Sequence, residues 1–209
     1  MDNKSEVSKK RILVTAARVF ARKGYSGARM DEIARDAGVT KALIYYYFQG
    51  KEAILNELFA AFFREATDFL LKFVERGAFS TNAEENKKLF EAEYESYLES
   101  NADLLKIIFT ESLKEEVKIP PLFRLVDLAG NDQDERIEQM KNSVLFAEKK
   151  MQQTMVTEFF TGVIPLVAYI MLKKKWCEHF RIDEDELKRY FGSAMQDTHE
   201  QYHLKQQSK

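Results

Sequence analysis

Apolar residues recur along the chain at helical spacing, and no segment shows a sustained period-two alternation of β-branched residues. From about Ser5 to Lys23, Ile12, Ala16, Val19 and Phe20 share one face while Lys9, Lys10, Arg18 and Arg22 stay polar, which predicts an amphipathic helix ended by Gly24. A short helix follows over roughly Met30–Ala37, with Ile33 and Ala34 inward. Gly38 suits the left-handed residue that closes it, and the Thr40 hydroxyl suits the cap of a third helix, Thr40 to Tyr47. That helix is too short to persist alone, so packing through Ile44 and Phe48 must hold it.

From Lys51 a long pattern begins (Ile54, Leu55, Leu58, Phe59, Phe62, Ala66, Phe69, Leu70, Phe73) and runs to near Gly77. At 1.5 Å per residue it reaches roughly 39 Å, long enough to join two domains. Further helices are predicted near 83–99, 102–116 and 121–129, the last with Pro121 in its first turn. Residues 131–150 are mostly polar and read as a helix with a loose entry. From about Met151 to Trp176 the pattern is apolar on most sides, with Pro165 expected to kink it, and a last amphipathic helix covers about Glu184 to Tyr202. The expected fold class is therefore all-α. The expected division is a domain of three N-terminal helices over residues 1–50 and a larger helical domain over 51–209.

Composition narrows the class. With 45% hydrophobic residues in a 209-residue chain, a real core is available. The longest nearly apolar stretch, Phe159 to Leu172, counts 14 residues, short of a bilayer crossing, and the polar N-terminus has no apolar signal region. One cysteine, Cys177, excludes an intrachain disulfide and suits a reducing compartment, so a cytoplasmic protein with no membrane partner is expected. The net charge of −2 conceals a division: residues 1–51 hold 11 Lys/Arg against 5 Asp/Glu, whereas the rest carries a net deficit of eight. The N-terminal part therefore suits a polyanion.

Helix, tight glycine turn and short helix over residues 28–48 describe a helix-turn-helix, whose second helix is narrow enough for a major groove about 12 Å wide. Lys41 can donate to guanine edges, Ala42 or Leu43 can touch thymine methyls, and tyrosine hydroxyls at 45, 46 and 47 can donate to phosphates. Three consecutive tyrosines cannot all face one core at 3.6 residues per turn, so at least one is exposed. Lys51 starts the next helix, where a cation and free backbone N–H groups both favour a phosphate.

The stretch DEIARDAGVTKALIYYYFQGKEAIL, preceded by ILVTAARVFARKGYSGARM, resembles the DNA-binding domain of the tetracycline-repressor (TetR) family over about residues 8–68. Ala16, Phe20, Gly24, Tyr25, Ile33, Ala34, Ala37–Gly38–Val39, Tyr45, Phe48, Lys51 and Glu52 stand in the family's spacing. The resemblance implies a transcriptional regulator, usually a repressor, that binds a palindromic double-stranded operator as a homodimer. A small molecule entering the C-terminal domain would release it. It places Thr40, Lys41, Ala42, Leu43 and Tyr46 in or near the groove, and Tyr45, Tyr47 and Lys51 at phosphates. Ala28–Arg29 replaces the family's usual Thr/Ser pair, so Arg29 could meet phosphate but cannot cap, and Asp31 stands where a basic residue is common.

Beyond residue 70 the resemblance is architectural. Residues 151–176 and 184–202 look like the paired terminal helices that form the dimer. Candidate effector-lining residues are Phe63, Tyr94, Tyr97, Phe109, Met151, Met155, Phe159 and Tyr169, a set suited to a small apolar or aromatic molecule. No cofactor or metal is expected: His199 and His203 are spaced i, i+4, but two ligands are not a site. No nucleophile–base pair or phosphate loop can be read, and Glu111, Glu115 and Glu116 lack a catalytic partner, so an enzyme is not expected. A helical adaptor docking an acidic partner remains the alternative from another class.

Overall fold

The computed structural model describes residues 2–75, 83–126 and 148–200, and every regular element among them is helical. In order these are α1 (Asp2–Gly27), α2 (Met30–Ala37), α3 (Lys41–Tyr47), α4 (Lys51–Glu75), α5 (Ala83–Ser100) and α6 (Ala102–Ser112). A 3-10 turn (Pro121–Leu125) follows, then α7 (Glu148–Thr157), a π turn (Glu158–Val163), α8 (Ile164–Phe180), α9 (Glu184–Met195) and a second π turn (Gln196–Glu200).

The chain forms two compact units. The first holds residues 1–68 and 101–122, the second residues 69–100 and 123–209, so the division falls inside α4. In the first unit α1 packs against α2, α3 and α6. Its centre is Ile12, Val19, Phe20, Ile33, Ile44, Ile54, Phe62, Leu105, Ile107 and Ile108, all at most 2% exposed. Full burial of such side chains is worth about 1.5–3 kcal/mol each. Gly24, at φ 73° and ψ 158°, breaks α1 where the periodicity ends, and the turn beyond it hands the chain to α2.

In the second unit α9 packs on α8, α5 on α8, and the two π turns on each other. Asp183 caps α9 by accepting from the Asp185 N–H at 2.9 Å. Lys173 of α8 joins three helices through ion pairs to Glu99 of α5 and Glu184 of α9, the latter 2.9 Å. Burial works against its charge, but the two carboxylates outweigh that and raise its pKa.

Several expected boundaries move. The helix predicted over 102–116 stops at Ser112, and 113–120 runs as turns into Pro120–Pro121, where proline cannot donate and the preceding residue avoids the helical region. In place of a helix from 121 to 129 there is one 3-10 turn, anchored by the Leu122 N–H donating to Ser112 Oγ at 2.9 Å. Residues 127–129 and most of the polar segment 131–150 lie outside the described residues. Pro165 sits in the first turn of α8, one turn after the helix has widened: the Ile164 N–H reaches back five residues to the Phe159 carbonyl, which accommodates an imino residue. The helical run is consequently longer than the 14 apolar residues suggested. Met155–Phe180 is long and apolar enough, by length and composition, to cross a membrane.

Candidate nucleic-acid interface

The two-helix motif is held from behind by its apolar residues and closed by its turn. Gly38 adopts φ 62°, ψ 40°, and the Val39 N–H returns to the Ala34 carbonyl at 3.0 Å, ending α2 without steric cost. Thr40 then caps α3, its hydroxyl oxygen accepting from the Leu43 N–H at 3.2 Å. Ile33, Ala34, Ala37, Ile44 and Phe48 are buried, which turns the opposite face of α3 outward. On that face Lys41 and Ala42 are exposed, Tyr45 is 49% exposed and Tyr46 is 79% exposed. Leu43 is half-buried beside them. An outward row of one ammonium, one methyl and two phenols can donate to base edges and phosphate oxygens and touch thymine methyls.

Besides Thr40, the side chains of Tyr47, Lys51 and Lys41, all assigned to nucleic acid, have polar partners within the protein. Tyr47 is half-buried, its hydroxyl 3.0 Å from Ser5 Oγ on α1 and its ring against Tyr46 and Phe48. Lys51 turns inward: its ammonium donates to the carbonyls of Tyr25, Ser26 and Ala28 at 2.6, 3.2 and 3.1 Å and lies 4.6 Å from the Tyr25 ring centroid. All three of its protons are therefore committed, and the donors left for an anion at the start of α4 are backbone N–H groups. Lys41 pairs with Asp31 at 2.8 Å, which raises its pKa and tethers it beside the start of α2. Arg29 precedes α2 in extended conformation without a side-chain cap bond, as its chemistry dictates, and is exposed.

Much of the N-terminal positive surplus is spent internally. Glu32, only 8% exposed, accepts from Arg22 and Lys23, each at 2.8 Å. Lys23 first and Arg22 after it hold this carboxyl below the usual carboxylate range, against the opposing effect of burial. Asp36 is held down in the same direction by Arg35 and Arg22. Lys9 pairs with Glu57 and lies over the Phe48 ring at 5.6 Å. Among the described residues, Lys10, Arg11, Arg18 and Arg29 keep exposed side chains with no carboxylate within ion-pair distance. Residue type alone could not separate these from Arg22, since the division depends on which helix faces each one.

The candidate effector residues divide between the units. Phe63 and Phe109 belong to the first, where Phe63 is buried against Phe59 and Phe62. Tyr94 and Tyr97 cluster with Phe69, Phe159 lies against Phe123 and Phe160, and Tyr169 stacks on Phe191 at 4.3 Å. Met155 is half-buried on α7; the side chain of Met151 lies outside the described residues. The structure thus distributes the set over separate clusters. An open groove of about 580 Å³ is lined by Phe69, Ala92, Glu93, Ser96, Tyr97 and Ser100, so only Tyr97 of the expected residues lines it. Burial pushes the Tyr94 hydroxyl up to about 12, and the Tyr169 hydroxyl is buried with no hydrogen-bond partner among the described residues. Among those residues no group of three or more His, Cys, Asp or Glu is placed to hold a metal.

The family of bacterial regulatory proteins called tetR has a model that matches residues 12–58. The uncharacterized HTH-type transcriptional regulator YdgC of Bacillus subtilis is 36% identical over 112 residues, 52% of this chain and 56% of its own. IcaR of Staphylococcus epidermidis, an HTH-type negative transcriptional regulator of the biofilm operon icaADBC, is 34% identical over 64 residues, 31% of this chain and 35% of its own. The matched stretch spans about half or less of these curated relatives. Among solved structures, the fatty acid degradation regulator FadR from Bacillus halodurans superposes with a TM-score of 0.57 at 21% identity, covering 90% of this chain and 94% of that one. A FadR from Bacillus subtilis in complex with stearoyl-CoA gives 0.54 at 20%, covering 90% and 95%. These likenesses establish a shared fold.

Proposed function

Since the chain belongs to the tetR family of bacterial transcriptional regulators, we propose that it is a cytoplasmic repressor that binds a palindromic operator as a homodimer and leaves it when a small molecule binds the second unit. The observation that carries this reading is the outward face of α3, presented by a buried Ile33–Ile44–Phe48 support and a capped turn. In this reading Lys41 reads base edges, Ala42 and Leu43 meet thymine methyls, Thr40 lies at the groove edge, and Tyr45, Tyr46 and Arg29 meet phosphates. Tyr47 supports α3 against α1, and the start of α4 meets phosphate through backbone N–H groups while the Lys51 side chain braces the turn before α2. The chain acts by binding and turns over no substrate.

Dimerisation is supported by the outer surface of the second unit. Leu172, Trp176, Phe180 and Tyr190 are about half exposed, and α9 has no buried residue although it is amphipathic. Apolar surface of this kind on paired helices is covered when residues 151–176 and 184–202 of two chains form a four-helix interface. The effector is proposed to be a small apolar or aromatic molecule bound by the second unit, where Phe69 and Tyr97 line an open groove. By linkage, operator DNA weakens its binding by the factor with which it weakens DNA binding.

The test is selection. Purified full-length protein is incubated with sheared bacterial DNA at physiological salt, and the bound fragments are sequenced. A few enriched palindromes support the reading, and stearoyl-CoA or an aromatic acid can then be titrated for release. Uniform recovery, with affinity no better than micromolar, replaces it with an adaptor for acidic partners.

A further inference from the structure

The turn between α1 and α2 is gripped from two sides, and one side comes from residues remote in sequence. Gly24 breaks the helix at φ 73°, and the next residue, Tyr25, packs its ring edge-on to Phe20 at 5.5 Å. The Lys51 ammonium, 4.6 Å from the Tyr25 centroid, gathers the carbonyls of Tyr25, Ser26 and Ala28. Lys114, two residues past the end of α6, places its ammonium 5.8 Å from the same centroid and is steered by a 2.6 Å ion pair to Glu111, itself 9% exposed. One phenol ring therefore sits within cation–π range of two lysines, one holding the turn that starts α2 and one at the end of α6. Segment 101–122 belongs to the first unit, yet the chain enters it from α5 and leaves it toward Phe123, both in the second.

We propose that Lys114 is a positioning residue for DNA recognition: acting through the Tyr25 ring, it sets where Lys51 holds the carbonyls that launch α2, and so sets the attitude of α2 and α3. The physical basis is the sharing of one ring quadrupole. Two ammonium ions on one ring repel each other, so the position of one limits the position of the other, and Glu111 decides where Lys114 stands. Whatever displaces the end of α6 then loosens or tightens the grip on the turn. Gly24 lets that turn move, since its backbone carries no side-chain restriction.

The DNA arm of the test rests on the repressor reading; the spectroscopic arm does not. Full-length protein labelled at lysine ε-carbons reports the upfield ring-current shift of Lys51 and Lys114. Lys114→Gln is expected to move the Lys51 ε-resonance and to weaken binding to an operator fragment selected by the wild-type protein by 3- to 10-fold, with unchanged dependence on salt because no phosphate contact is lost. In the otherwise wild-type protein, Tyr25→Phe, which keeps the ring, is expected to leave both readouts at wild-type values, while Tyr25→Leu loses both. Should Lys114→Gln fail to fold by circular dichroism, Lys114→Met keeps the stem and takes its place. A Lys51 resonance unmoved by the Lys114 change overturns the proposal even if no operator is ever found. A moved resonance with operator affinity unchanged overturns it as well. A reduced salt slope would make Lys114 a phosphate ligand instead, which also overturns it.

Discussion

The two units bury their apolar residues differently. In the first, Phe20, Ile33, Ile44, Ile54 and Leu105 are almost completely buried. The second fully buries Leu98 but leaves Phe123, Val156, Phe160, Trp176 and Phe180 about half exposed or more. Beside the aliphatic Val7, Val14, Leu113 and Ile119, the first unit exposes the hydroxyl-bearing Tyr45 and Tyr46, which suit a polar partner, whereas the second exposes the purely apolar rings of Phe123, Phe160 and Phe180 and the Trp176 indole, which water disfavours. The contrast sets the first unit, the head that carries α2 and α3 with its large phenylalanines buried, against a second unit that leaves large rings open to water.

Breaking the head's core gives the largest expected effect. Phe20→Ala should cost about 3–5 kcal/mol of unfolding free energy, and denaturant melts should show DNA binding lost with the first transition. Phe160→Ala, by contrast, should leave the monomer's stability within about 0.5 kcal/mol. A comparable loss at Phe160 would show that the difference in exposure carries no energetic meaning.

Interface variants test the other side of the comparison. If two chains pair through these helices as proposed, Trp176→Glu with Phe180→Glu should leave only monomer in sedimentation velocity at micromolar protein where the unaltered chain sediments as a dimer, because each charge would enter an apolar contact. Helical content should survive. A dimer persisting in the double variant would move the interface elsewhere.

Within the head, Lys41→Ala should cost about 1–3 kcal/mol of discrimination and relax base preference at its position, and Arg29→Ala should weaken all sequences alike while reducing the salt slope by about 1. Identical losses across an operator panel would abolish that division of labour. Removing the cap with Thr40→Ala should lower stability by about 1 kcal/mol, read as a shifted denaturant midpoint with unchanged slope.

The smallest effect concerns pH. The native pKa of Glu32 is depressed, so its contribution is fully present above the unfolded carboxylate value and is lost as pH falls through the native one. Glu32→Gln should therefore flatten the acid side of the stability profile below about pH 5, where Glu carboxyls titrate. An unchanged acid limb in that variant would assign acid sensitivity to other carboxylates, such as Asp36 or Glu184, which are depressed in the same direction.

Local rules made the helix-turn-helix legible. Helical spacing of Ile12, Ala16, Val19 and Phe20, the left-handed Gly38 and the Thr40 cap each act within a few residues, and all three appear where the periodicity places them. The end of α6 was harder, because a favourable helical pattern through Glu116 yields to a turn that the following proline pair and the Ser112 hydroxyl together impose. The π turn before Pro165 was equally hidden: a proline announces a disturbance, but only the packed helix decides whether it kinks or widens.

Side-chain direction was decided by tertiary structure alone. A lysine opening a helix invites a phosphate by its type and position, but the neighbouring carbonyls of Tyr25, Ser26 and Ala28 satisfy Lys51 first. Eight aromatic and methionine positions share a composition suited to a ligand, but which ring each of the described ones packs against, Phe63 on Phe62, Tyr97 on Phe69 and Phe159 on Phe123, was not legible from spacing. By itself the sequence determined the helical class, the capped two-helix motif and the sign of charge at each end, because those follow from local spacing and composition. Which cations remain exposed, which tyrosine is braced and which apolar face stays open to water depend on contacts between residues tens of positions apart, and only the assembled fold could decide them.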